Sequence, residues 1–93
     1  MENKVSAHAI ISGRVQGVFF RAETRRAAER FGVVGWVRNR RDGTVEAVFE
    51  GEQHAVDAVL AWCEEGPSFA FVQEVKVKWQ NYTGEFSSFD ITF

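Results

Sequence analysis

The chain of 93 residues carries a formal net charge of −2 at pH 7, and 45% of its residues are hydrophobic and 14% aromatic. Its length predicts one domain of residues 1–93, and its nine phenylalanines and three tryptophans exclude a disordered chain. A single cysteine excludes an intrachain disulfide, and no apolar run reaches the roughly 20 residues of a membrane span. Because no secretory signal opens the sequence and nothing indicates an obligate partner, we expect a cytoplasmic monomer that does not bind a membrane.

The charges are distributed unevenly along the chain. Residues 14–41 contain eight arginines and two acidic residues, whereas the rest of the chain contains three lysines and eleven acidic residues. A basic segment in a mildly acidic protein concentrates positive potential locally, which suits a small anionic ligand. A nucleic-acid-binding domain would more often be basic overall, so we expect no nucleic-acid partner.

The periodicity of hydrophobic side chains predicts seven secondary-structure elements. In chain order they are a strand at residues 5–11, a helix at 22–30, strands at 33–37 and 45–49, a helix at 52–64, a strand at 72–79 and a short strand at 89–93. Gly32 and Gly66 stop the helices, an Asp-Gly turn joins the second and third strands, and Gly51 ends the third strand. The predicted apolar faces are Thr24, Ala27, Ala28 and Phe31 on the first helix, Val56, Val59, Leu60 and Cys63 on the second, and Phe89, Ile91 and Phe93 on the last strand.

This element order, βαββαβ with an extra short strand, predicts an α+β fold. It is the ferredoxin-like sandwich, in which two helices cover one face of an antiparallel sheet of four to five strands. The first two strands run parallel with the third between them, so both end at the same edge of the sheet. We therefore expect Asn39, which follows the second strand, to lie near the segment that follows the first.

That segment, residues 13–21, reads GRVQGVFFR and turns a strand into a helix. Its two glycines permit positive φ angles and a close approach of ligand to backbone, and unpaired N–H groups at a helix start bind anions. Arg21 would add a guanidinium group suited to phosphate oxygens. The spacing matches neither the Walker loop nor the dinucleotide-binding fingerprint, and two glycines alone also fit an ordinary turn.

Two stretches of the chain carry a resemblance to a known family. Residues 11–21, ISGRVQGVFFR, resemble the first signature of the acylphosphatase family, and residues 35–45, GWVRNRRDGTV, with Gly51 six residues later, resemble the second. The similarity continues from Gly66-Pro67 through Val75 to the closing Phe89-Asp90-Ile91. It covers nearly the whole chain and agrees with the fold expected from the periodicity.

The resemblance implies hydrolysis of the carboxyl–phosphate bond of a small acyl phosphate to a carboxylate and inorganic phosphate, which is both product and inhibitor. By position, Arg21 matches the phosphate-binding arginine of the family, and Asn39 matches the asparagine that orients the attacking water. The backbone amides of the phosphate-binding loop correspond to Val15, Gln16, Gly17, Val18, Phe19 and Phe20. No metal or cofactor is implied, because the carboxylate leaving group has a conjugate-acid pKa of roughly 4 and departs without protonation.

The other candidate residues have simpler interpretations. The remaining arginines of the basic segment, Arg14, Arg38, Arg40 and Arg41 among them, contribute to the local field and to solubility. His8 and His54 have no acid partner implied by the sequence and are not expected to be catalytic. Cys63 lies on an apolar helical stripe, which indicates a buried structural thiol and not a nucleophile.

Three other classes of function remain open at the level of sequence. The first is an inactive binding module of the kind found inside larger maturation proteins, against which the short chain and the presence of Arg21 and Asn39 both argue. The second is an RNA-recognition module of the same topology, but the stacking aromatics expected on its central strands are absent. The third is a regulatory domain that binds a small molecule without turnover.

Overall fold

Five strands and two helices make up residues 3–93, the part of the chain that this computed structural model describes; the first two residues of the predicted domain lie outside it. The elements are β1 (Lys4–Arg14), α1 (Phe20–Phe31), β2 (Val34–Asn39), β3 (Val45–Glu52), α2 (Gln53–Glu65), β4 (Phe71–Gln80) and β5 (Phe89–Ile91). All seven predicted elements are therefore present in the predicted order, and the ferredoxin-like α+β fold is confirmed.

The strands form one sheet in the order β4-β1-β3-β2-β5. Pairing is antiparallel between the first four, as predicted, whereas β5 pairs parallel to β2 through Phe89, Asp90 and Ile91. Because β3 runs antiparallel to both β1 and β2, these two strands run parallel to each other. Their C-terminal ends therefore lie at the same end of the sheet, as predicted.

One hydrophobic core lies between the sheet and the two helices. The alternation in β1 places Ala7, Ala9 and Ile11 in the core, where all three are fully buried. On α1, the predicted burial of Phe31 is wrong, since this side chain is 39% exposed. Phe20 takes its place in the core, with its ring centroid 5.6 Å from that of Trp62. The predicted stripe of α2 is buried at Val56, Val59 and Cys63 and only partly buried at Leu60.

Four strands extend further than the sequence periodicity indicates, and β1 and β3 extend the most. β1 continues to Arg14 because a bulge between Ser12 and Gly13 restores its pairing with β4. Gly51 does not end β3 as expected, because it pairs with Val5 and the strand continues to Glu52. These extensions depend on the partner strand, which local periodicity does not report.

Glu50 is fully buried on the face of β3 that points away from the helices. Its carboxylate accepts hydrogen bonds from the backbone N–H groups of Thr83 and Gly84, both at 3.1 Å, and from the Thr83 hydroxyl. Burial raises the pKa of Glu50, but the hydrogen bonds outweigh it, so the pKa lies below its ordinary value of 4.5. One carboxylate thus fixes the segment between β4 and β5 to the sheet.

His8 has an acid partner that the sequence did not reveal. Its Nε2 lies 2.6 Å from Oε2 of Glu46, whose other oxygen accepts a hydrogen bond of 2.7 Å from Arg38 Nε. The register pairs His8 with Val48, so Glu46 is its diagonal neighbour on the adjacent strand. Burial raises the pKa of Glu46, but the hydrogen bonds from His8 and Arg38 outweigh it and the pKa is lowered.

Candidate active site

The segment between β1 and α1, residues 15–19, is anchored by its apolar side chains. Val15 is 1% exposed and Val18 9% exposed, and Phe20 at the start of α1 is also buried. Gly17 and Phe19 take left-handed backbone conformations, with φ angles of 74° and 64°. The buried side chains thus hold the turn in place, while the backbone of residues 15–19 belongs to neither strand nor helix.

Gly13 has a different function from the one suggested by the sequence. It lies within β1 at the bulge, with φ at 120°, and a Cβ atom there would come 2.1 Å from the carbonyl oxygen of Phe71. Gly13 is therefore required for the close packing of β1 on β4. Of the two glycines, only Gly17 lies in the turn itself, where a Cβ would meet nothing within 4 Å.

The backbone N–H groups of this turn have no acceptor among residues 3–93. In the described part of the chain, the first helical bond of α1 joins the Glu23 N–H to the Phe19 carbonyl at 3.0 Å, and none of the N–H groups of residues 15–22 is paired. The N-cap, Phe19, offers no side-chain acceptor to them. A run of unpaired donors at a helix N-terminus, where the helix dipole is positive, favours an anion.

Arg21 is the second residue of α1 and lies beside these donors. Its guanidinium Cζ is 5.4 Å from the ring centroid of Phe93. None of the ion pairs found within residues 3–93 includes Arg21. Within these residues, no side-chain carboxylate therefore competes with an anionic ligand for the charge of Arg21.

Asn39 is the last residue of β2 and faces the same cleft. Its Oδ1 is buried and accepts no hydrogen bond from any residue that the structure describes. A buried carbonyl oxygen without a donor is costly, so this atom is suited to accept a hydrogen bond from a water or a ligand.

These residues surround one cleft of about 380 Å³, here called the site cleft. Its lining consists of Val15, Gly17, Phe19, Phe20, Arg21, Ala22, Asn39, Ile91 and Phe93. The cleft thus brings together Arg21, Asn39 and four of the six predicted loop residues. Gln16 and Val18 are not among the lining residues: the side chain of Val18 is buried in the core, and that of Gln16 contacts the turn that follows Asn39.

Gln16 is the site residue whose side chain the sequence left unexplained. Its Nε2 donates to the carbonyl oxygens of Arg40 at 2.7 Å and Thr44 at 2.9 Å. Both carbonyls belong to the turn that follows Asn39, so Gln16 ties the two halves of the site together. No local signal in the sequence indicates this contact, because it joins residues 24 and 28 positions apart.

Two other features of the described chain, a cleft between the helices and the thiol of Cys63, were candidates for a second centre. A larger cleft of about 740 Å³ lies between the two helices, but its charged lining residues are of both signs and it shares no residue with the site cleft. Cys63 is fully buried, as predicted, and burial raises the pKa of its thiol to about 12. In residues 3–93, no three His, Cys, Asp or Glu side chains converge as metal ligands, and neither helix is long and apolar enough to cross a membrane.

Comparisons with known proteins match acylphosphatases over nearly the whole chain. The family model for acylphosphatase matches residues 7–91. An acylphosphatase of Pelotomaculum thermopropionicum is 55% identical over 98% of this chain and 99% of its own. Among solved structures, an acylphosphatase from Coxiella burnetii superposes with a TM-score of 0.92 at 37% identity, covering 97% of this chain and 94% of that one. The acylphosphatase from Bacillus subtilis gives a TM-score of 0.92 at 31% identity, covering 96% and 99%.

The family match includes both segments that meet at the site cleft, residues 15–21 and the end of β2. The similarity to this family thus extends beyond the two signatures to the sequence and fold of nearly the whole described chain. This chain belongs to the acylphosphatase family.

Proposed function

We propose that residues 15–21 bind the phosphoryl group of an acyl phosphate and that Asn39 orients the water that attacks it. The chain is an acylphosphatase, and hydrolysis of the carboxyl–phosphate bond is the reaction of its family. The observation that carries the assignment is made within residues 3–93: unpaired N–H donors, an Arg21 without an acidic partner and the buried Oδ1 of Asn39 converge around one cleft.

The N–H groups of residues 15–20 and the guanidinium of Arg21 have the charge and the donor count that a phosphoryl group needs. Phosphoryl transfer passes through a loose transition state with charge spread over the equatorial oxygens, so catalysis depends on positioning and on charge stabilisation. Donors fixed in place before the reaction stabilise this charge without reorganising. Arg21 adds a charge-assisted contact that is planar and suited to two oxygens.

Asn39 has an amide side chain and therefore does not act as a base. Its Oδ1 accepts a hydrogen bond from the attacking water and holds it in line with the carboxylate leaving group. We assign the proton of that water to a phosphoryl oxygen of the substrate. The departing carboxylate requires no general acid, since its conjugate acid has a pKa of roughly 4, so this scheme contains no step that depends on a metal or a histidine.

Three further properties belong to the same proposal. Inorganic phosphate inhibits the enzyme, because it presents the same oxygens to the same donors as the substrate does. The single domain of residues 1–93 is the functional unit, since both halves of the site cleft come from it. It acts as a monomer in the cytoplasm, where acyl phosphates are the small-molecule partners.

The test is phosphate release from acetyl phosphate in the presence of excess EDTA. We expect hydrolysis to continue unchanged, with no steep change in rate near pH 6.5, where an unperturbed histidine titrates. p-Nitrophenyl phosphate is the matched control, because its phenolate leaves less readily than a carboxylate and should be hydrolysed far more slowly. Activity that is lost in EDTA and restored by a divalent ion would contradict the scheme, and binding of phosphate without turnover would indicate a regulatory domain.

A further inference from the structure

Phe19 combines the left-handed backbone of the N-cap of α1 with an exposed aromatic ring. Among residues 3–93 it is the only residue other than glycine with a positive φ angle, and its side chain is 73% exposed. A strained backbone usually persists because buried contacts fix it or because it serves a site. The ring of Phe19 is not in the core, but it lines the site cleft.

Phe93 is the second exposed aromatic residue at this cleft. It is 97% exposed, yet its ring lies over Arg21 at 5.4 Å from Cζ and forms part of the cleft wall. Two phenyl rings therefore border the donors that hold the phosphoryl group. Because both rings are largely solvated, each has apolar surface available to a ligand.

The site cleft is larger than a phosphoryl group requires. Its volume of about 380 Å³ corresponds to roughly a dozen water molecules, whereas a phosphoryl group occupies the space of only a few. Arg21 is the only charged residue in the lining, all of which is described. Beyond the phosphoryl position, the cleft offers Phe19, Ile91 and Phe93, so a second negative charge on the acyl group would find no partner there.

We propose that Phe19 and Phe93 form an acyl-binding subsite that selects acyl phosphates with an uncharged, flat apolar acyl group, such as an aromatic one. This inference rests on the proposed function, in which residues 15–21 hold the phosphoryl group. An aromatic acyl group packs against both rings by dispersion and offset stacking. An acetyl group is too small to reach either ring fully, and a dicarboxylic acyl group would lose hydration at its free carboxylate without gaining a cation.

Benzoyl phosphate and acetyl phosphate test the subsite, with kcat/KM measured for both in each variant. Phe19→Ala and Phe93→Ala each remove one ring, and we expect each to lower the ratio of benzoyl to acetyl kcat/KM by about tenfold. The ratio is the readout because both substrates present the same phosphoryl group, so any effect of a variant on phosphate binding cancels. Succinyl phosphate should show no such dependence on the two rings.

Phe69→Ala is the matched control for these variants. Phe69 is 73% exposed, as Phe19 is, but it does not line the site cleft. Its replacement should leave the ratio unchanged. The proposal is overturned if neither cleft variant changes the ratio, or if Phe69→Ala lowers it as much.

A binding measurement separates the subsite from turnover. Phenylphosphonate and methylphosphonate are not hydrolysed, and we expect the folded wild-type protein to bind the first more tightly by about tenfold. Phe93→Ala should remove this preference; because Phe93 is exposed, its replacement should not impair folding. If neither acyl phosphate is hydrolysed but the preference is present and depends on Phe93, the proposed function fails and the subsite stands. Equal binding of the two phosphonates by the wild type would overturn the subsite alone.

Discussion

Arg21 contributes the only charged side chain of the site cleft. Arg21→Gln removes a charge-assisted contact to the phosphoryl group, and we expect kcat/KM for acetyl phosphate to fall by about 100-fold or more, on the order of 3 kcal/mol. Arg25→Gln, an exposed position one turn further along α1, is the control for charge and should have little effect. Near wild-type turnover by Arg21→Gln would remove Arg21 from the proposed mechanism.

Asn39 is expected to act on the water and not on phosphate affinity. Asn39→Ala leaves the N–H donors and Arg21 in place, so the inhibition constant of inorganic phosphate should change by less than about threefold. The kcat should fall by about 100-fold or more, because the attacking water loses its orientation. Steady-state kinetics with phosphate as inhibitor separate the two quantities. If phosphate inhibition is lost and kcat is retained, the roles of the two residues have been exchanged.

At the scale of residues, the sequence identified the candidates but not their contacts. Arg21, Asn39 and the loop were found because signatures and topology both point to them. The hydrogen bonds of the Gln16 side chain were not predicted, since their acceptors are carbonyl groups of a turn that is distant in the sequence. The exposure of Phe93 was also missed, because an alternating pattern at the end of a chain segment does not tell how far the sheet continues; β5 ends at Ile91.

At the scale of elements, β1 packs so closely on β4 at Gly13 that this position has no space for a side chain. Gly13→Ala would place Cβ 2.1 Å from the Phe71 carbonyl oxygen and 2.8 Å from the Gln73 nitrogen. We expect a loss of about 2–4 kcal/mol in the free energy of unfolding, measured by urea denaturation.

Gly17→Ala is the matched comparison for this prediction. Gly17 has a positive φ of 74°, but a Cβ atom at this position would have nothing within 4 Å. Its replacement should therefore cost only about 1–2 kcal/mol from backbone strain. Equal losses in both variants would mean that the contact with β4 does not determine the need for glycine at position 13.

The helices and strands were predictable because hydrophobic residues recur at clear helical or strand spacing along the sequence. Val56, Val59 and Cys63 recur at helical spacing and are buried as expected. The ends of β1 and β3 were not predictable, since a bulge and a register with neighbouring strands decide them. The parallel pairing of β5 likewise depends on which sheet edge is available, a property of the assembled sheet and not of residues 89–91.

At the scale of the whole molecule, the stability of the fold should decrease at low pH because the Glu50 carboxylate becomes protonated. Its folded-state pKa lies below the ordinary value of 4.5, so the carboxylate stabilises the fold above that pH, and this contribution is lost as pH falls through the lowered folded-state pKa. Glu50→Gln should therefore lower Tm at pH 7 by roughly 10 °C, through weaker hydrogen bonds to Thr83 and Gly84. The difference in Tm between the variant and the wild type should shrink below pH 4.5.

Glu85→Gln is the control for the removal of a charge. Glu85 is an exposed residue of the same connecting segment, and its replacement should leave Tm nearly unchanged at pH 7. If the difference between Glu50→Gln and the wild type is as large at pH 3 as at pH 7, protonation of Glu50 does not contribute to acid denaturation.

The close packing of Gly13 on Phe71 also bears on the order in which the parts of the site cleft are fixed during synthesis. β1 leaves the ribosome first, but its neighbours in the sheet are β3 and β4, and the residues opposite Gly13 and Arg14 are Val72 and Phe71. Closing so long a loop is entropically unfavourable until those distant contacts can form. A nascent chain therefore carries Arg21 and its turn well before it can hold them in place. We therefore expect phosphate binding to begin only after residues 71–80 have been synthesised and have paired with β1.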